Sequence, residues 1–170
     1  MSKTIKQLLT KLLADLQKQI AGITKKMETL TKEHEGELLT NLVSIPGIGK
    51  KTAIVLIVLS NGFKKFSNYK QLSAYIGLSP RIYESGTSVK GKAKICKMGM
   101  SSIRAMLYVC AWSACRYNKR CRELYERLLA KGKAKPLALI AVANKLLKQA
   151  FAIATHKTEY DENYLKNICF

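Results

Sequence analysis

The first 39 residues repeat apolar positions with the period of a long helix. Apolar side chains recur in alternating steps of four and three residues over about three heptads, at Leu9, Leu13, Leu16, Ile20, Ile23, Met27 and Leu30. Ile5 and Leu12 widen this face, and Gly22 weakens the helix by about 1 kcal/mol without ending it. The spacing predicts a coiled-coil seam, and the alternative is a helix packed on its own domain.

Residues 40–60 are predicted to form two helices joined by a tight turn, with the sequence TNLVSIPGIGKKTAIVLIVLS. Pro46 ends the first helix, and Gly47 and Gly49 give the turn a permissive backbone. Lys50 and Lys51 open the second helix. Its apolar run over residues 53–59 predicts burial in a core.

The remaining elements are predicted from turn signals and apolar runs. Residues 61–68 form a loop in which Ser67 caps a short helix over residues 69–76. Residues 77–99 lack a helical period and are predicted to be a small β-hairpin or an ordered loop. Apolar or amphipathic runs predict three more helices over residues 100–116, 122–130 and 136–155. Gly132 breaks the second of these, and Pro136 stands in the first turn of the third.

These elements predict a mainly α fold in a chain of 170 residues, a length that suits one compact domain with one attached element. The predicted division is a coiled-coil helix at 1–38 for oligomerisation or connection, a compact helical domain at 39–163, and a tail at 164–170. The compact domain contains the helix-hairpin-helix unit of residues 40–60 and the basic loop or small hairpin at 77–99.

Positive charge is concentrated in the middle of the chain. The net charge is +19, and residues 50–122 hold fifteen basic residues against one acid, Glu84. The two ends are more balanced, with seven basic and five acidic residues in 1–37 and eight and five in 123–170. Such a patch predicts a polyanionic partner, with nucleic acid as the default. No uncharged apolar run is long enough for a membrane span, and no secretory signal is evident.

The cysteines and histidines do not predict a metal site. The five cysteines form no CxxC pair, and the two histidines, His34 and His156, are far apart in sequence. We interpret the cysteines as reduced residues of a cytosolic protein that mostly serve packing.

The sequence IPGIGKKTA has the form of a helix-hairpin-helix motif. Gly47 and Gly49 let the backbone turn and let a phosphate approach without a Cβ in the way. The first N–H groups of the following helix then point at the phosphate, and Lys50 and Lys51 add charge. The motif predicts contact with the nucleic-acid backbone, which carries no base specificity. The alternative is a turn that only packs two helices.

The segment ESGTSVKGKAKICKMG places small hydroxyl residues and glycines among four lysines. Gly86 follows Ser85, so a phosphodiester can approach that hydroxyl, and nearby cations can balance its charge. These candidate cations are Arg81, Lys90, Lys92, Lys94, Lys97 and Arg104. From the residues alone we favour a solvated basic loop that grips nucleic acid over a catalytic serine, which needs a base or strong charge stabilisation. Tyr83 is a weaker nucleophile candidate because no Arg-His-Arg set surrounds it.

Carboxylates are scarce where a nuclease needs them. Metal-dependent phosphodiester chemistry uses clustered acids to hold magnesium, and the middle of the chain has only Glu84. Asp15 lies in the predicted coiled-coil helix and Asp161 in the polar stretch that follows the last helix. The acids of this chain do not predict a two-metal site.

Four stretches together resemble one transposase family over residues 40 to about 163. They are LVSIPGIGKKTA, FSNYKQLSAYIGLSPRIYESGTSVKG, ICKMGMSSIRAMLYVCAWSA and YERLLAKGKAKPLALIAVANKLL. In order and spacing they resemble the C-terminal half of the insertion-sequence transposases of the one-ten/one-sixteen/nine-oh-two group, related to the Piv invertase. The preceding helix is similar to the coiled coil that connects the two halves in this family.

The resemblance implies a site-specific DNA recombinase. Family members combine an N-terminal RuvC-like domain, whose Asp-Glu-Asp-Asp set binds magnesium, with a C-terminal domain whose serine forms a covalent bond to DNA. They are guided by a structured bridge RNA and act as oligomers in which acids of one subunit meet the serine of another. The family's serine falls on the Ser85–Gly86 step, with Ser88 as the fallback. The glycine turn and the lysines are then backbone contacts to DNA or RNA.

The sequence departs from the family pattern in beginning directly at the coiled-coil helix. We therefore expect no RuvC-like domain, no magnesium site of its own, and no strand transfer by the chain alone, which fits a truncated gene, a split product or an excised domain. The first functional hypothesis is a recombinase domain that supplies Ser85. The second is a non-catalytic binding and dimerisation module, such as a regulator of an intact transposase. A repair-type helix-hairpin-helix protein is a third, weaker alternative.

Overall fold

A computed structural model describes residues 3–81, 84–85, 89–90, 94–95 and 98–162, and these residues form helices with a few very short strands. The helices are α1 (Lys3–Val43), α2 (Lys50–Ser60), α3 (Tyr69–Ile76), α4 (Ser101–Tyr117), α5 (Lys119–Ala130) and α6 (Lys135–His156). The strands are β1 (Pro80–Arg81), β2 (Glu84–Ser85), β3 (Val89–Lys90) and β4 (Lys94–Ile95). The predicted mainly α fold is confirmed. The predicted tail at 164–170 lies outside the described residues.

The chain divides into two compact units, Met1–Gly36 and Glu37–Phe170. The first unit is the long helix that the apolar period predicts. Its side chains are exposed along the whole predicted seam from Leu9 to Leu30, with exposed fractions between 39 and 60%. The described part of this unit therefore presents an apolar stripe to solvent.

The helix that enters the glycine turn is the last part of α1. The sequence predicts that one helix ends and the next begins near residue 39. In the structure, α1 continues to Val43, and its helical backbone is interrupted earlier, at Glu35, where φ is −141° and ψ is 42°. Gly36 follows this break, and glycine has a low helix propensity. Ser44 and Ile45 then close the helix end with backbone bonds to Thr40 and Leu42.

In the second unit, α6 is the central helix, and α3, α4 and α5 pack against it. Its inner face is apolar and buried, and includes Val142, Leu146 and Leu147. By length and composition α6 is able to cross a membrane, but half of that span is buried inside the protein. Its apolar character is accounted for by its place in the core.

The predicted range 69–76 of α3 is confirmed, but its predicted cap and the predicted start of α5 are wrong, and asparagine explains both. Asn68, not Ser67, caps α3, since its side chain accepts a hydrogen bond from the Gln71 N–H at 3.0 Å. Asn118 caps α5 in the same way through the Cys121 N–H, so this helix begins at Lys119 instead of residue 122. Asparagine side chains satisfy the exposed N–H groups of a first helical turn.

The hairpin alternative for residues 77–99 is confirmed in part. β1 pairs antiparallel with β4 through Pro80 opposite Ile95 and Arg81 opposite Lys94. β2 pairs antiparallel with β3 through Glu84 opposite Lys90 and Ser85 opposite Val89. We call these two nested pairs the β-ribbon.

Candidate nucleic-acid interface

The turn between α1 and α2 is fixed from its inner side. Ile45 and Ile48 are buried, and the Ile48 N–H donates to the Ile45 carbonyl at 3.0 Å. Gly47 has φ +107°, and a Cβ there would lie 2.7 Å from the Cβ of Ala114 in α4. Only glycine allows both this backbone and this approach, so the turn is seated on α4.

The outer side of the same turn is open. Gly49 is the N-cap of α2, has an extended backbone and gives no side-chain cap. A Cβ at Gly49 would meet nothing within 4 Å, and Lys50 and Lys51 after it are exposed. The first N–H groups of a helix have no intrahelical acceptors and carry the positive end of the helix dipole. This end of α2 is therefore suited to an anion such as a phosphate.

Buried polar contacts hold α2 and the turn in place. The Thr52 hydroxyl lies 3.2 Å from the Cys110 thiol in α4. The fully buried Asn118 donates to the Pro46 carbonyl at 3.5 Å and to Gln149 Oε1 at 3.2 Å, and it accepts from the Tyr160 hydroxyl at 3.2 Å. Asn118 thus connects the glycine turn with α5, α6 and the segment that follows α6.

Sequence reasoning did not identify Asn118 as part of the site. The signal that was present is an asparagine immediately before a helix, which is a common N-cap. Its second role, as a donor to the glycine turn, depends on long-range contacts that no local pattern encodes.

The described cysteines are packing groups. Cys110 and Cys121 are buried, Cys115 is half-buried, and all three are free thiols. Burial raises the pKa of the Cys121 thiol to about 12 and also raises the pKa of Cys115. Reactive cysteines need a depressed pKa. Cys96 and Cys169 lie outside the described residues.

The β-ribbon is attached to the body of the protein at the end of α3. The Leu78 N–H donates to the Ser73 carbonyl at 2.9 Å. After the ribbon, Gly99 has φ +128°, and a Cβ there would lie 2.7 Å from the Ile76 carbonyl oxygen. The same oxygen accepts a 3.0 Å hydrogen bond from Arg104. Both ends of the ribbon therefore meet one helical turn of α3.

The structure places the predicted site residues in separate groups. Gly47, Gly49, Lys50 and Lys51 come together in the glycine turn. Arg81, Ser85, Lys90 and Lys94 lie in the paired strands of the β-ribbon, while Gly86, Ser88, Lys92 and Lys97 lie outside the described residues.

Arg104 is half-buried, and one of its guanidinium N–H groups is used by the protein itself. Arg104 lies near the N-terminal end of α4, where the β-ribbon is attached, and Ala114 lies near the C-terminal end, where the glycine turn packs. These two residues lie about 15 Å apart along the helix axis, since the rise is about 1.5 Å per residue.

No metal centre is assembled in the part of the chain that the structure describes. Within those residues no group of three or more His, Cys, Asp or Glu side chains could hold a metal ion. The described residues therefore do not fit a magnesium-binding site.

Comparison with known proteins gives a consistent assignment. The family model described as "Transposase IS116/IS110/IS902 family" matches residues 39–126. The chain is 34% identical over 123 residues to the "Pilin gene-inverting protein" of Moraxella lacunata, covering 71% of this chain and 38% of that protein. It is 30% identical over 120 residues to an IS110 protein of Streptomyces coelicolor, covering 71% of this chain and 29% of the relative.

A third relative matches over more of the chain. The transposase for insertion sequence element IS1111A of Coxiella burnetii is 28% identical over 163 residues, which is 94% of this chain and 44% of the relative. The chain thus spans less than half the length of each of these curated relatives.

Proposed function

The chain belongs to the IS116/IS110/IS902 transposase family, and we propose that it acts as the C-terminal part of a DNA transposase or site-specific recombinase. In this role it binds DNA through the basic surface of residues 47–122 and supplies Ser85 as the nucleophile for strand exchange. The observation that carries the proposal is the open, uncapped start of α2 beside Lys50 and Lys51.

The binding step follows from the geometry of the glycine turn. Its inner side is fixed on α4 through Gly47, while Gly49 leaves room for a phosphate at the first N–H groups of α2. A contact of this kind positions the DNA backbone without reading its sequence. The ribbon end of α4 lies about 15 Å further along that helix, so the turn and the ribbon would contact different phosphates.

The chemical step assigned to Ser85 is a transesterification. The Ser85 oxygen forms a bond to phosphorus, the bond from phosphorus to one DNA oxygen breaks, and the serine proton leaves to a base while the departing oxygen is protonated. One phosphodiester is exchanged for another, so no oxidant or energy source is needed. Ser85 pairs with Val89 in the β-ribbon, and Ser88 is the fallback nucleophile.

The magnesium-binding acids of the reaction are proposed to come from another domain or polypeptide. This follows from the family chemistry and from the composition of residues 50–122, where Glu84 is the single acid. When bound, the metal would lower the barrier to attack by stabilising charge on the phosphate. The residues of this chain would contribute the nucleophile and the grip on the backbone.

The proposed partners are DNA, a structured guide RNA and further copies of the chain. The exposed seam from Leu9 to Leu30 supports a homo-oligomer through residues 1–38, because a regular heptad face is buried most simply against an identical one. A guide RNA would use the same phosphate-binding surface. The location that matches this role is the cytoplasm, in association with the nucleoid.

A non-catalytic binding and dimerisation module is the second candidate. It is supported by the open start of α2 and by the exposed apolar seam of α1, which suit binding and oligomerisation without any role for Ser85. Such a module would bind nucleic acid and oligomerise with no dependence on Ser85, and it would regulate an intact transposase.

A test of Ser85 separates these candidates. The chain would be combined with the acid-bearing domain of a family member, guide RNA and target DNA, and covalent protein–DNA adducts would be resolved under denaturing conditions. We expect adducts with the unmodified chain and with Ser88→Ala, and none with Ser85→Ala, while all three retain DNA binding. Adducts that survive Ser85→Ala contradict the assignment. DNA binding with no adduct in any sample favours the regulatory module.

A further inference from the structure

The loop between α2 and α3 has an unusual and firmly held backbone. Asn61, Gly62 and Phe63 all have positive φ, at 50°, 61° and 64°. This region is unfavourable for a residue with a Cβ, and most of all for a bulky one such as phenylalanine. Strained backbone of this kind persists only where its surroundings fix it, and it is common at binding sites.

Several contacts fix this loop in one conformation. The Gly62 N–H donates to the Ile57 carbonyl at 2.9 Å and the Lys65 N–H to the Ser60 carbonyl at 3.1 Å. The Phe63 N–H donates to the Ser60 hydroxyl at 2.9 Å. The Phe63 ring is buried and meets the ring of Phe151 edge-on at 6.1 Å. The backbone is thus held as far as Lys65.

The side chain of Lys65 is held as well, although it is exposed. Its Nζ lies 4.5 Å from the centre of the Tyr75 ring and 5.8 Å from that of Phe66. It also donates a 3.4 Å hydrogen bond to the Tyr75 hydroxyl. The two rings are 5.3 Å apart. Cation–π contacts with both rings therefore orient an ammonium group that stays in contact with solvent.

The charge around this cluster favours an anionic ligand. Residues 61–81 contain Lys64, Lys65, Lys70 and Arg81, and no acid. The Tyr75 hydroxyl accepts a hydrogen bond from Lys65, so its own hydrogen can be donated to a ligand. Tyr75 is 37% exposed, which leaves its hydroxyl within reach of solvent. A fixed ammonium and a neighbouring hydroxyl donor match the oxygens of a phosphate.

We propose that Lys65 and Tyr75 form a preorganised clamp for one phosphate of a nucleic-acid backbone. This inference rests on the proposed function and adds a contact outside the glycine turn and the β-ribbon. A free lysine loses much of its rotamer freedom when it binds, whereas a lysine already held by two rings loses less. Lys65 is therefore expected to contribute more to affinity than other exposed lysines of the same surface.

The clamp is tested with the full chain and a labelled DNA duplex of arbitrary sequence. Lys65→Ala is compared with Lys70→Ala, which removes the same charge from the exposed surface of α3. We expect Lys65→Ala to weaken binding about tenfold and to reduce the slope of log K against log salt by about one. Lys70→Ala should weaken binding by less than about twofold, within the range of exposed charge effects.

Substitutions of Tyr75 distinguish a preorganised clamp from nonspecific attraction between DNA and the positive charge of the protein. Tyr75→Leu removes the ring that holds Lys65 and should weaken binding at an unchanged salt slope, because no charge is lost. Tyr75→Phe keeps the ring and should bind more tightly than Tyr75→Leu. Equal losses for Lys65→Ala and Lys70→Ala, or no loss for Tyr75→Leu, overturn the clamp while leaving the proposed function intact. Failure of the unmodified chain to bind the duplex contradicts both.

Discussion

At the scale of single residues, Gly47 and Gly49 have opposite roles within one turn. Gly47 needs a positive φ and faces the backbone of α4, where Ala114 atoms lie 2.7–3.0 Å from the position of an added Cβ. Gly49 has an ordinary φ of −85° and faces open space. The first glycine therefore serves the packing of the turn, and the second keeps the start of α2 accessible.

This difference predicts different stabilities for two similar variants. Gly47→Ala strains the backbone and collides with main-chain atoms of Ala114, so it should lower the free energy of unfolding by about 1–3 kcal/mol. Gly49→Ala adds a methyl group in open space at an N-cap and should cost no more than about 1 kcal/mol. Urea unfolding of both variants measures the two effects. Equal losses would show that Gly47 does not seat the turn on Ala114.

Residue-level prediction from the sequence succeeds where the chemistry is local. Gly47, Gly49, Lys50 and Lys51 are neighbours in the chain, so their turn and helix start are visible in one short motif. The Lys65–Tyr75 pair is not visible, because its partners are ten residues apart on a loop and a helix. Its geometry depends on a loop in which Asn61 and Gly62 favour positive φ, but the positive φ of Phe63 is not indicated by residue preference.

At the scale of elements, α1 has the least internal support for its apolar side chains. In the first unit the seam residues remain exposed along the whole described helix. Leaving so many large apolar groups in water is unfavourable, at about 25 cal/mol per Å² of apolar surface. A contiguous apolar stripe of this kind is typical of an interaction surface.

We predict that the chain self-associates through this stripe. Replacing Leu13 and Ile20 together with glutamate introduces charge at two seam positions and should convert the oligomer to a monomer. The exposed Lys18 is off the seam, so Lys18→Glu is the control and should leave the oligomer intact. Light-scattering mass in solution measures the chain number. The same chain number for the double variant and the unmodified chain would exclude the predicted seam.

Element prediction from the sequence is accurate for long apolar helices and poorer at their ends. The predicted ranges of the helices at 100–116 and 136–155 differ from α4 and α6 by one residue at each end. The start of α5 was misplaced by three residues, because the capping role of Asn118 was not recognised. For residues 77–99 the sequence does not distinguish a hairpin from a loop, since strands of two residues are too short to show an alternating pattern.

In the molecule as a whole, most of the net positive charge lies in residues 47–122, the region that is proposed to bind DNA. The net charge of +19 comes mainly from this region, which carries the glycine turn, the Lys65–Tyr75 clamp and the β-ribbon. The phosphate contacts proposed for these three features would account for so large an imbalance of charge. The proposed function therefore requires DNA binding that is dominated by phosphate contacts.

The salt dependence of DNA binding measures directly how many phosphates the protein contacts. For six to ten phosphate contacts, the affinity of the unmodified chain for a DNA duplex should fall roughly 10³–10⁵-fold between about 50 and 200 mM salt. Replacing both Lys50 and Lys51 with alanine should reduce the slope by about two. Lys131→Ala, an exposed control outside residues 47–122, should change it little. Binding that barely weakens over this range of salt would contradict the account.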